Sequence, residues 1–135
     1  MFSVETSHLT RPEQIAACGA ALDVVRERAD RLQIDVPWDH AASWPEEVVE
    51  AASVFAPRRR DYECSGWIAP ISQRQWLAFR ALAPYAFSSD VWTADMRLLA
   101  DVNDEGSSIT VHVESDDLSR LREAVAPAYV VELKR

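Results

Sequence analysis

Three consecutive arginines, Arg58-Arg59-Arg60, form the densest charge run in the chain, with Tyr62 and Trp67 in the same short stretch. Guanidinium groups fork onto phosphate or carboxylate oxygens, so this run suits an anionic ligand. No glycine-rich loop accompanies it. With three glycines in the whole chain, phosphate-loop and dinucleotide fingerprints are absent. Cys64 follows closely, and nearby positive charge favours the nucleophilic thiolate. Glu63 opposes that effect, however, and no His or Asp is tied to Cys64 by a recognisable spacing. His8, His40 and His112 lack metal-ligand spacing to one another, to a cysteine or to paired carboxylates. The expectation is no catalytic residue, no metal and no cofactor.

A second grouping has different chemistry. Asp35, Trp38, Asp39, Trp44, Glu46 and Glu47 lie within a few residues of one another and join carboxylates to aromatic rings. Aromatics ringed by acids suit a basic protein partner, with the charge steering encounter and the rings anchoring the complex. The formal net charge of −8 points the same way and disfavours nucleic acid and anionic membranes. The charge is uneven, with acidic flanks at 1–56 and 91–135 and a weakly basic middle at 57–90.

The elements that position these groups follow from periodicity. Thr10-Arg-Pro-Glu13 is a capping box, and Ile15, Cys18, Leu22, Val25, Ala29 and Leu32 continue one apolar stripe, predicting a helix to about Gln33. Cys18 falls on its core side. A second box at Ser43-Trp-Pro-Glu46 opens a helix ending near Phe55. A third at Ser72-Gln-Arg-Gln75, with an Ile71–Trp76 staple, opens a helix stopped by Pro84. From Trp92 to Val102 every second residue is apolar, as are Ile109, Val111 and Val113, the pattern of two strands with one buried face.

A turn at Glu105-Gly106 with Gly106 at positive φ joins them. It sets Ala100 beside Val111, Val102 beside Ile109 and Leu98 beside Val113, with Arg97 opposite Glu114. Ser115 or Asp116 then caps a helix through Leu118, Leu121 and Val125, and residues 129–133 form a last strand. A short strand at Phe2 and Val4 precedes the first helix.

This order predicts an α+β fold, a ferredoxin-like βαββαβ sandwich with helices on one face of an antiparallel sheet. Residues 1–135 make a single domain, with 34–90 a helical insertion. No leader pattern or membrane-length apolar run is visible, which places the chain in the cytoplasm. Thirteen Arg against one Lys, with twenty Ala, fit a high-GC bacterial gene. Two functional readings follow. In the first, the chain binds a more basic protein, in the manner of immunity proteins and other dedicated inhibitors, and performs no chemistry. In the second, a sensor or modest enzyme holds a small molecule between the sheet's open face and the insertion, using Arg58, Arg59, Arg60, Tyr62, Trp67, Arg97 and His112, with Asp95 nearby.

Overall fold

Two of the expected capping boxes close reciprocally. Thr10 accepts from the Glu13 N–H while Glu13 accepts from the Thr10 N–H, and Ser72 and Gln75 do the same. They start α1 (Arg11–Val25) and α3 (Gln73–Leu82) in the computed structural model, which describes residues 1–134. The other two helices, α2 (Glu46–Phe55) and α4 (Ser115–Val125), begin after Pro45 and Glu114 without a side-chain cap. Ser43 instead ends a 3-10 turn over Trp38–Ser43, so the second predicted box does not form.

Seven strands make one antiparallel sheet: β1 (Phe2–Glu5), β2 (Arg31–Val36), β3 (Glu63–Cys64), β4 (Ser88–Trp92), β5 (Leu98–Asn103), β6 (Ser108–Val111) and β7 (Tyr129–Glu132). Their order is β3-β2-β4-β5-β6-β1-β7. The predicted register between the last long strands holds, with Ala100 paired to Val111 and Val102 to Ile109. Gly106 has the expected positive φ of 85°, although a short 3-10 turn over Asp104–Gly106 replaces the two-residue turn.

Three expectations need correction. The first helix stops at Val25, and Leu32 belongs to β2, where apolar Leu32, Ile34 and Val36 alternate with polar Arg31, Gln33 and Asp35. That alternation has period two, and pairing of Leu32 with Val91 and Ile34 with Ser89 makes it a strand. The run from Trp92 to Val102 is not one strand. It breaks at a polar turn where the Thr93 hydroxyl accepts from the Arg97 N–H, leaving Ala94 and Met96 exposed. Arg97 consequently pairs with Asp95 rather than Glu114, and a register shift between Val91 and Trp92 disturbs the ladder near Leu98. Finally, 34–90 is not a helical insertion alone, because half of β2, all of β3 and the first three residues of β4 come from it, in a sheet of seven strands.

Residues paired across the ladders share a face. Leu32, Val91, Ala100, Val111 and Phe2 form one row of the covered face, and Ile34, Ser89, Val102 and Ile109 another. The helices gather there, α1 against α4 and α3, and α3 against α2. Cys18 lies fully buried among them, its thiol pushed up to about 12 by burial, while Cys64 is exposed on the edge strand β3. No helix among the described residues is long and apolar enough to cross a membrane.

Candidate functional site

The acid–tryptophan grouping is assembled where the chain leaves β2. Pro37 breaks the strand, and the 3-10 turn carries Trp38 back over α2, where its indole N–H donates to the Ala56 carbonyl at 3.0 Å. Trp44 packs 6.0 Å from Trp38 and 6.2 Å from Tyr85, and both tryptophans are buried. Asp35 is buried too. Its carboxylate accepts the backbone N–H groups of Phe87 and Ser88 at 2.9 and 3.2 Å and the Tyr62 hydroxyl at 2.9 Å. Burial of that hydroxyl and its bond to Asp35 push Tyr62 up to about 12. The six predicted partner-binding residues therefore divide. Asp35, Trp38 and Trp44 build the frame, while Asp39, Glu46 and Glu47 stand exposed on it.

Beside them runs a groove of about 360 Å³, whose walls include Trp44, Pro45, Tyr85 and Glu105. Arg11 reaches into it from the first turn of α1. Its guanidinium donates to the carbonyls of Glu105 at 2.7 Å and Pro84 at 2.6 Å and lies 5.2 Å from the Tyr85 ring centre. The surroundings that hold Arg11, carbonyl oxygens plus an aromatic face, are those a basic side chain seeks. The charges along α2 also complement its macrodipole, with Glu46 and Glu47 in the first turn and Arg58–Arg60 beyond the last.

The second predicted set is not brought together. Arg58 and Arg60 flank a hollow of about 200 Å³ with Phe55 and Glu63, and Arg60 is 3.2 Å from the Glu63 carboxylate. Arg59 turns away over the Trp38 ring at 5.1 Å, and Tyr62 is held by Asp35. Trp67 is exposed and meets Trp92 edge-on at 5.9 Å. Arg97 and His112 line an open cleft of about 660 Å³ at the opposite end of β5 and β6, together with Arg28, Thr93, Leu99 and Glu114. There Arg28 donates to the His112 carbonyl at 3.1 Å, and Arg97 is bound to Asp95 at 3.0 Å. Helices α2 and α3 join the covered face, so the insertion does not form a lid over the open one.

Sequence reasoning places Asp101 and Thr110 on the open face but misses the pairing of Asp101 with Asp90. On the open face Val131, Ser3, Thr110, Asp101, Asp90 and Gln33 are paired in one unbroken row over six strands. Asp90 and Asp101 are therefore direct cross-strand neighbours. Burial and the neighbouring Asp90 raise the Asp101 carboxyl, against a lowering bond from Thr110. Asp90 accepts from the Trp92 indole N–H at 2.6 Å and the Gln33 amide at 3.2 Å. Reading Ser88–Trp92 as a strand would have exposed this pair, but only Val91 and Trp92 there resemble strand residues. Comparison with known proteins finds no matching family model, no matching curated protein and no matching solved structure.

Proposed function

We propose that this chain is a binding domain, acting in the cytoplasm, that docks onto a more basic protein and performs no chemistry of its own. The observation that carries the reading is the end built on Trp38, Trp44 and Tyr85. There exposed Asp39, Glu46 and Glu47 stand on an interlocked aromatic base beside a groove that already accommodates one guanidinium. A rigid base costs little ordering entropy on association, and the acids accelerate encounter with a positive surface. The net charge of −8 favours such a partner over nucleic acid or an anionic membrane. For the scaffold we infer a ferredoxin-like unit of β1, α1, β5, β6, α4 and β7. Its support is the βαββαβ order of these elements and their adjacency as β5-β6-β1-β7, with β4, β2 and β3 added beside β5.

Affinity capture with the wild-type chain, followed by association kinetics with the recovered protein, tests the reading. The expected partner is basic. Its on-rate should fall about tenfold or more when Asp39, Glu46 and Glu47 are replaced by Lys, and again when salt screens the wild type. Capture that survives this triple reversal but is lost on Arg97→Ala would move the site to the cleft. The second reading, an anionic small molecule held by the cleft that Arg97 and His112 line, predicts instead a rise in melting temperature with that anion, lost on Arg97→Ala.

A further inference from the structure

The two edges of the sheet differ. On one side β3 is two residues long and the loop behind it pairs Ile68 back onto Leu32. On the other, β7 runs straight from Tyr129 to Glu132, paired with β1 along one side, and no strand among the described residues lies beyond it. Proteins blunt bare edges with lysine, proline or a bulge. Within Tyr129–Glu132 there is none of these and Glu132 is the single charge, with Pro127 and Lys134 lying just outside. Instead Tyr129, Val131 and the adjoining Leu133 are 65%, 47% and 41% exposed, and Met1 beside them is 44% exposed.

The backbone fixes what this edge offers. The Leu133 N–H donates to the Met1 carbonyl at 2.9 Å. Bonded and non-bonded pairs alternate along an antiparallel ladder, so Ser3–Val131 and Glu5–Tyr129 are also bonded pairs. The N–H and C=O groups of Val130 and Glu132 consequently point away from β1, toward the outside of the sheet.

We propose that two copies of this chain join through β7, antiparallel about a two-fold axis at Val131, so that one sheet runs through both. In this register Val130 of each copy exchanges backbone bonds with Glu132 of the other, matching the outward groups. Val131 meets Val131, and Tyr129 faces Leu133, covering the exposed apolar side chains. Neighbouring registers fit less well. Centring on Glu132 sets carboxylate against carboxylate. Centring on Val130 needs Ala128, whose N–H is already committed to the Val125 carbonyl at 2.9 Å. A shift that changes the facing parity would put apolar open-face residues opposite those of the covered face. This inference is independent of the basic-partner reading, because it uses a different edge and no charged group of the acidic end.

Sedimentation equilibrium on the wild type up to about 100 µM should show a dimer. Glu132→Pro deletes an N–H that faces outward and spares the β1–β7 bonds, so it should give a monomer with an unchanged circular dichroism spectrum. A second measurement stands apart from any folding effect of proline. In a Cys64→Ser background, Val131→Cys should form an intermolecular disulfide on mild oxidation, because non-bonded antiparallel pairs sit about 4.5 Å apart at Cα, within disulfide reach. Val130→Cys should cross-link far more slowly. A wild type that stays monomeric at the top concentration overturns the proposal. So does cross-linking at 130 in preference to 131, or a folded Glu132→Pro variant that remains dimeric.

Discussion

Trp44 and Trp67 each sit beside a second aromatic ring near one end of the sheet, yet Trp44 is 9% exposed and Trp67 51%. At the Trp44 end the 3-10 turn, α2 and Tyr85 close around the rings, and the carboxylates above them rest on a packed base. At the Trp67 end the rings of Trp67 and Trp92 touch edge to face, and the neighbouring cleft stays open between strand ends. The same residue type is framework in one place and surface in the other. Composition alone does not separate the two, because the difference lies in what packs around the ring. Trp38 and Tyr85 meet Trp44, whereas Trp92 is the one aromatic ring among the described residues that meets Trp67.

The sharpest way to break this comparison is to delete each ring. Trp44→Ala should cost about 3–5 kcal/mol in urea unfolding, as for large-to-small changes in a core, whereas Trp67→Ala should cost less than about 1 kcal/mol. Equal losses would mean that the two ends are equally packed. A smaller pair of effects comes from the backbone. Gly106 at the Trp44 end has φ of 85°, and a Cβ there would lie 3.3 Å from the Pro84 Cα, so Gly106→Val should destabilise by about 2 kcal/mol. Met96 at the other end holds φ of 64° in an exposed turn, and Met96→Gly should stabilise by roughly 0.5 kcal/mol, net of its contact with Arg31. Thermal melts of both variants read the contrast.

The smallest effect lies between the ends. Asp101 has its carboxyl raised in the folded state, so its ionisation opposes folding at pH values above the ordinary carboxylate range. Asp101→Asn should therefore gain at most about 0.5 kcal/mol at neutral pH after solvent screening. The gain should vanish below about pH 4, where Asp101 is protonated in folded and unfolded states alike. A gain that persists in acid would assign the effect to packing and not to charge.

What the sequence disclosed was local. Thr10 with Glu13 and Ser72 with Gln75 are short-range devices, and both close as read. The pairing of Ala100 with Val111 followed from matching two apolar faces, and the two-residue strand signal at Phe2 and Val4 was real. The misreadings came where two periods overlap. Leu32 continues the 3-4 spacing of α1 as well as it opens the alternation to Ile34 and Val36, and only the partners Val91 and Ser89 decide between them. Trp92, Ala94, Met96 and Leu98 alternate by coincidence across a turn that Thr93, Asp95 and Arg97 hold together with polar bonds. The candidate site was half legible. Asp39, Glu46 and Glu47 emerge as surface, but no local pattern could show that Asp35 would be consumed by backbone N–H groups some fifty positions later.

One consequence of the strand order concerns synthesis. β1 precedes α1 and the other strands in the chain, yet both of its neighbours, β6 and β7, lie beyond residue 107. Chains emerge at roughly 5–20 residues per second, so Phe2 to Glu5 wait several seconds without a pairing partner. β2, β3 and β4, with α2 and α3, can associate during that interval, since their mutual contacts end at Trp92. β1 is thus inserted between two strands translated long after it, and Phe2 to Glu5 find their place later than many residues that follow them.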